Sequence, residues 1–98
     1  MFIIDVAVKA DRIPAEDYEN VFAQHREWFA KYFNEGKFLI LGPYLDREHA
    51  GIIIAQAESR AEIDEIISHD VLYPGLADYR INEFKAAMCA DNISAHAK

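Results

Sequence analysis

Two ionisable side chains stand where their neighbours do not explain them. His25 interrupts an apolar stripe, with Val21 and Phe22 before it and Phe29 after it on one helical face, and charged residues filling the other positions. A buried imidazole without a hydrogen-bond partner costs about 1–3 kcal/mol, so His25 needs a donor or acceptor nearby. Asp70 ends the run "EIISHD" at an expected helix C-terminus. The partial negative charge there suits a cation such as protonated His69 and disfavours a carboxylate. An aspartate in that place is either a solvated turn former bonded to its own backbone or a group placed for a partner elsewhere in the fold. Were the two helices side by side, Asp70 would approach the middle of the first. Its carboxylate would then fix the His25 tautomer and leave the other ring nitrogen as a general acid or base. The same pair would equally serve as a structural tie between helices, and the residue types leave both readings open.

Other groups complete the list of candidates. Asp5 lies in an apolar first strand that should be central, so it points into a pocket unless it sits at an interface rim. Gly42, Pro43 and Tyr44 follow the second strand and can line the same pocket. Trp28 and Tyr32, at i, i+4 spacing, read first as core, and Trp28 is the aromatic candidate for ligand contact. The expected binding set is therefore Asp5, Trp28, Gly42, Pro43 and Tyr44. His25, His49 and His69 show no i, i+4 or i, i+2 ligand spacing and no HExxH motif, so no metal is expected. Cys89 is the sole cysteine, which excludes an intrachain disulfide and any Cys-rich zinc site. Neither a Gly-rich phosphate loop nor a serine elbow is present, and no cofactor is expected.

The elements that must position these residues follow from periodicity. "FIIDVAV" (Phe2 to Val8) is a strand, with Ile4, Val6 and Val8 on one face and Ile3, Asp5 and Ala7 on the other. Pro14 suits the first turn of a helix, the apolar stripe runs on from Tyr18, and Gly36 stands where a C′ glycine belongs. "KFLILGP" and "GIIIAQA" are strands two and three around the loop "YLDREHA". Ser59 and Glu62 form a capping box for a second helix from about Arg60, burying Ala61, Ile63, Ile66 and Ile67. "DYRINEFKAAM" reads as strand four, although its end, residues 84–90, has a helix-forming composition that the pattern does not assign. Residues 91–98 read as a frayed tail.

The order β-α-β-β-α-β is the ferredoxin-like α+β unit, an antiparallel sheet in one domain spanning residues 1–98. Two helices cover one face of four strands, yet "FLIL" is apolar on both faces, so the uncovered face is expected to pair with a second copy as a homodimer. Composition narrows the partners. The chain has 98 residues, 52% of them hydrophobic, and a formal net charge of -7 without a basic cluster. Nucleic acid is therefore not an expected partner, since phosphate binding needs clustered Lys and Arg. No apolar run approaches the roughly 18 residues of a membrane span. The opening "MFIIDVAV" lacks a basic leader, and a soluble cytoplasmic protein binding a small molecule is expected.

Two longer stretches carry a family likeness. "HREWFAKYFNEGKFLILGP" (His25 to Pro43) and "SHDVLYPGLADYRINEF" resemble the YciI-like (YCII-related) family. There a helix with a His and a following aromatic residue leads to Gly, a strand and a Gly-Pro turn, and the second helix ends in an aspartate. The likeness runs from Phe2 to about Phe84. It implies a ferredoxin-like protomer paired into a dimeric α/β barrel, with an active site on a His and an Asp that map onto His25 and Asp70. A few members resemble lyases that remove chloride from hydroxylated aromatic rings. Val71 replaces the proline that usually follows the aspartate, and Phe22 stands where an arginine often precedes the histidine, so no member's substrate carries over. The expected function is cofactor-independent, lyase- or isomerase-type proton transfer on a small cyclic or phenolic metabolite. The alternative is a non-catalytic dimer that binds a small ligand or serves as an accessory subunit.

Overall fold

Strand β1 (Phe2–Val8) alternates between buried Phe2, Ile4 and Val6 and half-exposed Ile3, Asp5 and Ala7, the two-residue period of a strand with one covered face. A computed structural model describes residues 1–97 of the chain. β1 pairs antiparallel with β3 (Ala50–Ala55) on one side and β4 (Ala77–Glu83) on the other, while β2 (Phe38–Pro43) pairs antiparallel with β3. The strand order is therefore β2-β3-β1-β4, with β1 central as its hydrophobicity required. The register places Ile4 opposite Ile53 and Ile81 on the covered face, and Ile3 opposite Ile54 and Asn82 on the open one.

Helices α1 (Tyr18–Asn34) and α2 (Arg60–Ser68) supply the cover, completing a ferredoxin-like α+β fold. α1 buries His25, Trp28 and Tyr32, a stripe at i, i+3 and i+7. It stops at Gly36, whose φ of 79° is the left-handed conformation that closes a helix without a Cβ clash. α2 begins at Ser59, whose hydroxyl accepts from the Glu62 N–H at 3.2 Å. The return bond from Glu62 goes to the Glu58 N–H at 2.9 Å, one residue earlier than a strict capping box. Ile63, Ile66 and Ile67 of α2 meet Phe2, Ile4, Phe38, Ile53 and Leu72 in one core.

Three details depart from the sequence expectation. Ala61 is exposed, because α2 rests on the sheet through its isoleucines alone. Residues 84–90 are neither strand nor helix. Pairing with β1 ends at Glu83 and Phe2, so only the Phe84 N–H, bonded to the Met1 carbonyl at 2.9 Å, continues the ladder. Of the tail at 91–98, Ile93–His96 forms an exposed 3-10 turn, and Lys98 lies outside the described residues. No helix among the described residues is long and apolar enough to cross a membrane.

Candidate active site

α1 carries His25 at the centre of its buried face, packed against the rings of Trp28 (centroids 5.8 Å apart, 15° between planes) and Phe29 (4.3 Å, 58°), which also touch each other. α2 ends at Ser68, with His69 as its C-cap, and the chain turns so that Asp70 points back beneath the helices. Asp70 is 3% exposed and His25 6%, and Nδ1 of the imidazole lies 2.8 Å from Oδ1 of the carboxylate. The solvated-turn reading of Asp70 thus falls away, since burial requires partners for both oxygens. Oδ1 is also approached by the Leu72 N–H at 3.4 Å, and Oδ2 accepts the Tyr79 hydroxyl at 2.6 Å.

This network selects the tautomer of a neutral His25 ring. An ionised carboxylate only accepts, so Nδ1 carries the proton and the neutral imidazole keeps its lone pair on Nε2. Burial, and next the hydrogen bond to Asp70, push the Tyr79 hydroxyl far above the ordinary tyrosine range, so it is a permanent donor to the carboxylate. No buried side-chain nitrogen or oxygen among the described residues lacks a hydrogen bond. Since Nε2 makes none, it retains an opening. His25 lines a cavity of about 360 Å³ between α1 and the sheet, walled by Val6, Phe22, Phe29, Leu41 and Ile53. Gly42 and Pro43 form its end, with Gly51 beside them, and a Cβ on Gly51 would meet the Gly42 carbonyl oxygen at 2.8 Å. A basic nitrogen facing a small apolar chamber can take a proton from a bound ring hydroxyl or return one to a ring carbon.

The expected binding residues divide. Gly42 and Pro43 join His25 at the cavity. Asp5 and Tyr44 do not: Asp5 is on the open face of the sheet, accepting the Tyr44 hydroxyl at 2.7 Å and the Arg47 guanidinium at 2.8 Å. Strand alternation is the reason, for Ile4 and Val6 face the helices and Asp5 between them cannot. The Arg47 hydrogen bond holds the Asp5 carboxyl below the usual range, and Arg47 lies over the Tyr44 ring at 4.8 Å. Trp28 is a core residue that donates its indole N–H to the Ile66 carbonyl at 2.8 Å and packs on Phe38, away from this cavity. Tyr79 bonds to Asp70 and Arg26 and His49 line the cavity; the sequence reading passed over the first two and weighed His49 only as a metal ligand. The inward register of β4 was the available signal for Tyr79, two residues after buried Ala77. Among the described residues no group of three or more His, Cys, Asp and Glu side chains converges as a metal site would.

Comparison with known proteins agrees with this architecture. The YCII-related domain profile matches residues 2–85, and the chain belongs to that family. No curated protein matches it. Among solved structures it is similar to 5-chloro-2-hydroxyhydroquinone dehydrochlorinase from Burkholderia phenoliruptrix, in complex with 2,5-dihydroxybenzoquinone. That likeness has a TM-score of 0.63 at 18% identity, over 87% of this chain and 94% of the other. At that identity it is a likeness of fold.

Proposed function

From this family membership and this cavity we propose that the protein is a cofactor-independent enzyme of the lyase or isomerase kind, acting on a small cyclic or phenolic metabolite. The observation that carries the proposal is the buried His25–Asp70 pair at 2.8 Å, with Nε2 left without a protein partner beside an apolar chamber. In the proposed reaction Nε2 takes the proton of a ring hydroxyl, and the electron pair left on oxygen forms a C=O while a ring carbon takes up a proton. That step alone is an isomerisation. Where the carbon bears a leaving group, loss of a second hydroxyl proton expels the group with its bonding pair, for a net loss of HX. Asp70 offsets the imidazolium charge that arises between the steps, and Tyr79 holds the carboxylate with Oδ1 towards the ring. Exclusion of water by the apolar walls strengthens both interactions. The dehydrochlorinase of like fold, solved with a dihydroxybenzoquinone, supports a hydroxylated ring as the first substrate class to test.

We also propose a homodimer. Leu39 and Ile40 are 44% and 40% exposed, and with Ile3, Ile52 and Ile54 they make an apolar open face that a second sheet would cover. Turnover of a panel of chlorinated hydroquinones, followed as chloride release, tests the enzyme reading. Release that vanishes in His25→Ala and falls by about two orders of magnitude or more in Asp70→Asn is the expected result for a general acid–base pair. Equal rates in the variants and the parent would remove the dyad from the mechanism.

A further inference from the structure

The cavity is apolar throughout its depth but not at its mouth. Two polar residues stand there, Arg26 next to His25 on α1 and His49 at the end of the β2–β3 loop, both exposed. Among the described residues neither side chain takes part in an ion pair or a hydrogen bond. Arg47 and Arg60 are bonded to carboxylates, whereas neither Arg26 nor Arg80 is, and of these last two only Arg26 lines the cavity.

His49 shows a second feature. Its φ of 54° makes it the one non-glycine among the described residues held in the left-handed region, a conformation that surrounding structure must enforce. The enforcing contacts are visible. Its carbonyl accepts the Val8 N–H at 2.8 Å, and its ring packs edge-on against Tyr18 at 6.5 Å and tilted against Phe22 at 6.4 Å. Phe22 stands 6.4 Å from the His25 ring as well, so one aromatic side chain lies between the two histidines along the cavity wall. The loop end thus holds a second imidazole on the wall of the chamber, across Phe22 from His25, and the Arg26 guanidinium lines the same chamber.

We propose that Arg26 and His49 form an anion-recognising rim, and that the ligand is a single planar ring with a hydroxyl at His25 and a carboxylate or other acidic oxygen at the mouth. The proposal rests on the reading of the cavity as the active site and adds the second recognition point that fixes which way the ring enters. An apolar slot alone would admit a ring in any orientation; a paired cation and N–H donor favour the one that keeps the charge in water.

The test is a binding series by calorimetry and by NMR of the His25 ring, using phenol, para-hydroxybenzamide and para-hydroxybenzoate as probes. Para-hydroxybenzoate is expected to bind about tenfold more tightly than the amide, the scale of one charge-assisted contact. Arg26→Gln and His49→Asn should each remove that preference while leaving phenol affinity within about twofold, too small a change for a lost contact. Asparagine tolerates positive φ, so the second variant keeps the loop conformation. Phenol binding with no preference for the benzoate would overturn the rim and leave the ring site standing. A preference that persists in both variants would also overturn it, by putting the anion contact elsewhere. Failure of every probe to move the His25 resonances would overturn the active-site reading itself, and the rim with it.

Discussion

Asp70 has three hydrogen-bond donors around one carboxylate, and the two side-chain donors can be removed separately. Tyr79→Phe strips the donor from Oδ2 and leaves a buried charged oxygen short of a partner, at a cost of about 1–3 kcal/mol visible as a lower melting temperature. His25→Ala costs a similar amount for Oδ1. Stability loss therefore follows whether the pair is catalytic or structural, and the functional readings must be separated by ligand binding and turnover. Tyr79 also gives a pH signature. Its hydroxyl titrates far higher in the folded chain than in the unfolded one, so the stability it contributes is intact below the unfolded tyrosine pKa of about 10. That stability is lost as pH rises from there towards the folded value. Alkaline unfolding followed by circular dichroism should begin near pH ~10 in the parent and be less steep in Tyr79→Phe. An identical slope in both would show that Tyr79 is not the responsible group. The His25–Asp70 contact was legible in the sequence, because a polar ring on an apolar stripe and a carboxylate at the wrong end of a helix are both local anomalies. Tyr79 and His49 were not, since a tyrosine in a strand and a histidine in a polar loop break no local rule.

β2 and β3 show how elements shape the cavity. Gly51 faces the helices opposite Val6, where the Gly42 carbonyl passes so close that a Cβ would sit 2.8 Å from its oxygen. Backbone on both sides leaves nothing flexible to yield. Gly51→Ala is expected to destabilise by about 1–3 kcal/mol, in the range of overpacked cores, and to displace the Gly42-Pro43 end of the cavity. Chemical denaturation would measure the first effect and phenol affinity the second; a variant with unchanged midpoint would refute the close approach. Periodicity made all four strands and both helices legible at this scale. Of the two readings it left for Asp5, a pocket or an interface rim, the open face of the sheet fits the second, and Tyr44 bonds to Asp5 there. Trp28 was correctly read as core and wrongly kept among ligand contacts: its indole N–H is satisfied by the Ile66 carbonyl, a bond no local pattern reveals. Residues 84–90 lie beyond the last β1 partner, so their helix-forming composition has no neighbour to reward it.

At the scale of the whole molecule, the helices lie on one face of the sheet and the other remains open. The cavity is on the helix side, whereas Ile3, Ile40, Ile52 and Ile54 are on the open side together with Asp5 and Arg80, which are opposite each other in register. Pairing of two open faces would therefore leave both cavities accessible. Light scattering at micromolar concentration is expected to give twice the 11.2 kDa chain mass, and Ile54→Lys, which buries a charge in the apolar patch, should shift the population to monomer. A parent protein that scatters as one chain would remove the dimer.

The central claim is that His25 presents an unprotonated Nε2 to the cavity because Asp70 holds the proton on Nδ1. Long-range proton–nitrogen NMR of the imidazole reports both nitrogens at once. The account predicts that neutral His25 carries its proton on Nδ1 in the parent protein, and that addition of phenol shifts Nε2 strongly and Nδ1 little. A neutral ring protonated on Nε2, or an Nε2 signal indifferent to every hydroxylated ring tried, would contradict it.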